Sequence, residues 1–102
     1  MEIYFKGKNF DKKGVYQITI NDEYTYIGQT KRCFIKRWGE HIDSFNGKTC
    51  NRQIKQIVDK KSTIKFEVIR TCRSKKECKK WERHYIDLYQ PNLNIQLHWN
   101  NI

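Results

Sequence analysis

The chain has one proline and five glycines among its 102 residues, too few for a collagen-like, low-complexity or linker-rich protein. No stretch approaches the roughly 18 consecutive apolar residues of a membrane span. The opening MEIYFKGKNF lacks the uninterrupted apolar core of a signal peptide. The four cysteines, Cys33, Cys50, Cys72 and Cys78, form no C-x-x-C pair, and the three histidines are scattered at 41, 84 and 98. Reduced thiols are therefore expected, not a zinc site or a disulfide framework. No internal repeat is present. The expectation is one soluble, intracellular domain, cytoplasmic and without a membrane partner.

Negative charge is the other scarce commodity: 11 Asp and Glu stand against 21 Lys and Arg, a net charge of +10. The cations recur along the whole chain, which points to a polyanion, nucleic acid above all. They do not gather on one amphipathic helix, which argues against a membrane surface. With 37% hydrophobic and 14% aromatic residues, one modest core is within reach.

Residues 1 to 13 are lysine-rich around Ile3, Tyr4 and Phe5, and read as an edge strand or a loose arm. GVYQITI at 14 to 20 has the β-branched and aromatic content of a strand, NDE at 21 to 23 of a turn, and Tyr24 to Gly28 of the antiparallel partner. IKFEVIR at 64 to 70 is a third strand. Ile35, Trp38, Ile42 and Phe45 repeat at helical spacing and predict a helix from about Lys31 to Phe45. Ile54, Ile57 and Val58 mark a second, shorter helix. Ser74 and Glu77 form a capping box that opens a last helix with the stripe Cys78, Trp81, Tyr85 and Leu88, ended by Pro91.

Three constellations carry chemistry. A three-residue turn centred on Asp22 pairs Ile20 with Tyr24, Ile18 with Tyr26 and Tyr16 with Gly28. Tyr16 then stands beside a position without a side chain, either as an accessible phenol with room for a phosphate or as a ring packed over a strand glycine. On the last helix, Glu82 falls within the arc of Cys78, Trp81, Tyr85 and Ile86, a carboxylate on the buried face that must be paired, protonated or bound to metal. On the earlier helix, Arg37 and His41 lie one turn apart at the edge of the apolar face, while Lys36, Glu40 and Asp43 point away. The pair could bind a phosphate or could snorkel at the rim of a core.

GVY, a ten-residue spacer and YIG, followed by KRWGEH and later WERHYIDLYQPNLN, resemble the GIY-YIG nuclease family from about Gly14 to Ile95. Val15 replaces the isoleucine of the eponymous triplet. The resemblance implies an α/β (α+β) fold, a small three-stranded antiparallel sheet flanked by about three helices. The nuclease-like domain would span 14–96, with an arm or edge strand over 1–13 and a tail over 97–102. It further implies a metal-dependent endonuclease in which Tyr16 activates water, Tyr26 is the second motif tyrosine, and Arg37 and His41 form the R-x-x-x-H pair. Glu82 would hold a single divalent ion, Mg²⁺ or Mn²⁺, and Asn94 matches the asparagine that follows it, with Asn92 two residues away. Gly28, Lys31, Arg32 and Lys36 are expected to contact the substrate, double-stranded DNA. A second copy or a partner protein would supply target specificity, since no appended binding domain is expected within 102 residues.

Other nuclease signatures fit less well. Glu77 and Lys79 satisfy E-x-K, but Glu77 is explained by the capping box, and the clustered histidines of an HNH site are absent. The alternative from another class is a noncatalytic nucleic-acid-binding module on a nuclease scaffold.

Overall fold

The computed structural model describes residues 1–47 and 56–95. The elements run β1 (Glu2–Lys6), β2 (Gly14–Ile20), β3 (Tyr24–Thr30), α1 (Phe34–Asn46), β4 (Thr63–Thr71), α2 (Lys75–Tyr89) and α3 (Asn92–Ile95). The α+β class holds, but the sheet has four strands in the order β1-β4-β2-β3, not three. The added strand is the apolar trio at the N-terminus, and β1 pairs parallel to β4 from Glu2↔Thr63 to Lys6↔Glu67, so the sheet is mixed. Its pairing partner lies some sixty residues downstream, beyond what local pattern reveals. The shorter helix expected at Ile54, Ile57 and Val58 falls in part outside the described residues.

The hairpin register follows the sequence reading, with Ile20↔Tyr24, Ile18↔Tyr26 and Tyr16↔Gly28. The turn places Asn21 and Asp22 at φ 56° and 55°, the left-handed pair of a tight hairpin turn that Asn and Asp tolerate. Asn21 also accepts the Thr63 N–H through its side chain and donates its own N–H to Thr63 O, which prolongs the β2–β4 ladder.

Strand alternation divides the core into two layers. Tyr16, Ile18 and Ile20 of β2 join Ile64 and Phe66 of β4 under Phe34, Trp38 and Phe45 of α1, with Leu93 of α3 closing the cluster. The opposite face carries Val15, Ile27, Cys72 and Cys78, against which Trp81, Tyr85 and Ile86 of α2 pack. A slip of one residue in β2 would exchange the two sets. Gly14 is required by a close approach, since a Cβ there would lie 2.0 Å from the Arg70 carbonyl oxygen.

Helix α1 starts at Phe34, three residues later than the periodicity suggests, and its N-cap, Cys33, makes no side-chain cap. The first free N–H groups are instead taken by loop carbonyls: Phe34 donates to Lys12 O at 2.9 Å and Ile35 to Phe10 O at 3.0 Å. Its buried positions are Phe34, Trp38, His41 and Phe45. Ile35, expected inside, is 48% exposed, and His41, expected at the rim, is fully buried. In α2 the capping box forms at one end, with Ser74 Oγ accepting the Glu77 N–H at 3.2 Å, while Glu77 Oε2 accepts from Arg73 N. Leu88 is exposed, and Ile86 takes its place on the inward side. Cys78, Glu82 and Ile86 thus fall on one i, i+4 ridge.

Candidate active site

Side chains from both helical layers meet at the outer edge of the sheet, on β3. Tyr16 lies opposite Gly28, and a Cβ at Gly28 would come within 2.7 Å of both Tyr16 Cζ and its hydroxyl oxygen. The space left by the glycine is therefore filled by the tyrosine ring itself. The accessible phenol weighed from sequence is not realised: Tyr16 is 1% exposed. The missing side chain lets the ring cross β3 and bring its hydroxyl to the strand edge.

There the hydroxyl meets His41, whose Nε2 lies 2.8 Å from Tyr16 Oη. Both rings are buried, with centroids 5.7 Å apart and edge to face, and Tyr26 adds a third ring 6.0 Å from His41. Burial pushes His41 down to about 3, helped by the adjacent Arg37 charge, so the imidazole is neutral at physiological pH. Burial also raises the Tyr16 phenol; the Tyr26 and Glu82 charges act the same way, and Arg37 opposes them. Tyr26 is pushed up to about 12, by burial first and then by Glu82.

Arg37 reaches this cluster from α1, one turn before His41. Burial works against its charge, but Tyr16 and Glu40 outweigh that and hold the guanidinium protonated. Glu40 does not simply point away, as helical projection suggests. It pairs with Arg37 at 2.9 Å and with Arg32 at 2.5 Å. The arginine–glutamate spacing of three along the helix is the sequence signal that marks the first contact; Arg32 comes from outside the helix and only the fold brings it in.

Glu82 enters from α2, on the far side of the sheet edge. It is half-buried, and burial raises its carboxyl above the ordinary glutamate range against the pull of Lys79. It forms no ion pair among the described residues, where no group of three or more His, Cys, Asp or Glu converges either. A lone, unpaired carboxylate suits a hard divalent ion that keeps most of its water ligands, so the donor chemistry fits the single metal that the family resemblance implies.

Asn94 is occupied elsewhere. Its Oδ1 accepts the Ile27 N–H at 2.8 Å and its Nδ2 donates to Ile27 O at 2.9 Å. Asn92 repeats the arrangement two residues earlier, with Thr25 N–H at 2.8 Å and Glu23 O at 3.2 Å. The two amides stand where a further strand would pair with the open edge of β3. Both asparagines hold the strand that carries Tyr26 and Gly28. Lys31 is exposed and lies beside Lys75, a contact that holds its ammonium below the usual lysine range. Lys36 is exposed on α1.

Tyr16, Tyr26, Gly28, Arg37 and His41 are thus brought together from three elements, with Glu82 of α2 near enough to act on both tyrosines through its charge, and Arg32 joins them through Glu40. Compared with known families, residues 12–94 match the model of the GIY-YIG catalytic domain. No curated protein and no solved structure matches the chain.

Proposed function

Since the chain belongs to the GIY-YIG family, whose members are nucleases, we propose that it is a metal-dependent endonuclease that hydrolyses phosphodiester bonds in DNA. The observation that carries this reading is the meeting of a hydroxyl, a neutral imidazole and a guanidinium at one sheet edge, with the Glu82 carboxylate near enough for its charge to act on the hydroxyl. Phosphodiester hydrolysis asks for these functions: a proton acceptor for water, positive charge for the phosphorane and stabilisation of the leaving oxygen.

Burial keeps Tyr16 protonated, so a standing phenolate is not the base. The neutral His41 offers another route. On this reading a water admitted to the Tyr16 hydroxyl, which is buried in the free protein, donates its proton to Oη as the Tyr16 proton passes to His41 Nε2, and no free phenolate accumulates. Arg37 binds the phosphoryl oxygens. Burial is the main cause of the low His41 value and the Arg37 charge adds to it; a bound phosphate offsets the Arg37 part, so the acceptor gains some basicity when substrate is in place. Tyr26, protonated at neutral pH, packs beside His41 with a phenol able to donate to the substrate. Glu82 would hold the ion, Mg²⁺ or Mn²⁺, which when bound supplies Lewis-acid charge to the phosphoryl and leaving oxygens. Asn94 serves as a positioning residue, and Lys31, Arg32 and Lys36 extend the cationic surface along the substrate backbone.

Incubating purified protein with supercoiled plasmid in Mg²⁺, then in Mn²⁺, then in chelator tests the reading. Cleavage in either metal that stops in chelator is expected. DNA binding with no cleavage in either metal would leave the noncatalytic module as the function of this scaffold.

A further inference from the structure

Arg32 lies between β3 and α1, and Arg37 and Glu40 lie on α1. Arg32 Nη2 reaches both carboxylate oxygens of Glu40, at 2.6 and 2.5 Å, while Arg37 Nη1 reaches Oε1 at 2.9 Å. Two guanidinium groups, one from the connection between β3 and α1 and one from α1 itself, therefore converge on one oxyanion, leaving the trio with a net positive charge. The arrangement is open to solvent, with Arg32 57% and Glu40 43% exposed, whereas Arg37 is only 13% exposed. Arg32 is anchored, because its backbone N–H donates to Oγ1 of the buried Thr30 at 3.2 Å. The Arg32–Glu40 pair is open to solvent on both sides, and exposed ion pairs contribute only about 0–1 kcal/mol, so a phosphate can compete with this carboxylate. Paired guanidiniums are well suited to phosphate oxygens.

We propose that Arg32 and Arg37 form a clamp for a backbone phosphate of nucleic acid, and that Glu40 is its resident stand-in, occupying the clamp in the free protein and displaced when the substrate arrives. The proposal rests on the nuclease reading for the role of Arg37 and deepens it by assigning Arg32 and Glu40. Glu40 holds both arginines in place before binding and then competes with the phosphate, so removing its charge tightens binding. A carboxylate that merely reduces the overall positive charge would do so no more than any other exposed acid on the same helix.

The test is affinity for a fluorescein-labelled DNA duplex, read by anisotropy in Ca²⁺ to suppress chemistry, for wild type, Glu40→Gln, Asp43→Asn, Arg32→Ala and the Arg32→Ala/Glu40→Gln double variant. Asp43 is exposed on α1, and Asp43→Asn removes the same charge away from the clamp. Glu40→Gln is expected to tighten binding about five-fold beyond Asp43→Asn, and that extra gain is expected to disappear in the Arg32→Ala background. Equal gains for Glu40→Gln and Asp43→Asn, or an undiminished gain without Arg32, would overturn the clamp. Plasmid cleavage in Mg²⁺ is scored separately. Cleavage without the extra gain overturns the clamp alone, the gain without cleavage in any metal overturns the nuclease reading alone, and failure of the wild type to bind DNA overturns both.

Discussion

Tyr16 and His41 share a hydrogen bond of 2.8 Å in a place where burial opposes charge on either ring. In the tautomer that leaves Nε2 bare, the bond is a direct route for a proton to leave the phenol. Tyr16→Phe keeps the ring over Gly28 and removes that route, so turnover is expected to fall by on the order of 10² or more. It also removes the Tyr16–His41 hydrogen bond, and stability is expected to drop by about 0.5–1.5 kcal/mol. Single-turnover cleavage and urea unfolding measure the two effects separately. A Phe variant as active as the parent would make the bond purely structural.

His41 makes the protein acid-labile in a particular window. Its folded value, about 3, lies below the ordinary value of about 6.5 that it regains on unfolding. The unfolded chain therefore takes up a proton that the folded protein refuses. The corresponding stability is complete above about pH 6.5 and is lost as pH falls from there toward 3. His41→Gln keeps a partner for Tyr16 and does not titrate, so its melting temperature should change less than the wild type's between about pH 6.5 and 5. Glu40, held below the usual carboxylate range by its arginines, acts at lower pH and does not confuse the comparison. Parallel melting curves would remove His41 as the acid-sensitive group.

Glu82→Gln separates a metal ligand from a structural ion. Burial raises the Glu82 carboxyl, so its charge opposes folding above its unfolded value of about 4.3. The neutral amide should be as stable as the wild type at pH 7, or more so. Cleavage should be abolished with DNA binding retained, and the rise in melting temperature that Mg²⁺ confers on the wild type should vanish. Retained Mg²⁺-dependent activity would sink the metal assignment.

Asn94→Ala breaks both hydrogen bonds between its amide and Ile27 of β3. The expected loss is about 2 kcal/mol of stability, together with faster amide hydrogen exchange at Ile27. Asn92→Ala should act alike at Thr25. Activity lost in Asn94→Ala with unchanged stability and exchange would instead place the amide in the chemistry.

The local features were readable from the chain alone. The β2–β3 register follows from strand alternation on either side of one short turn, and that register alone sets Tyr16 opposite Gly28. Helical period likewise places Glu82 on the ridge of Cys78 and Ile86, because positions four apart share a face whatever surrounds the helix. The Ser74 cap is equally local. Each of these depends on residues within one hairpin or one helix.

Other features required the folded chain. Strand β1 joins β4 across most of the sequence, and no local pattern names so distant a partner. The apolar arc of α1 predicted Ile35 inside and His41 at the rim, yet His41 is buried and Ile35 exposed. An imidazole is admitted to that core because the Tyr16 hydroxyl, delivered from another element, satisfies its nitrogen. Even the sign of the Tyr16 shift was a tertiary matter: the residue types offered a cation to lower the phenol, and the layers packed around it raised the phenol instead, since desolvation on all sides outweighs one guanidinium at one edge.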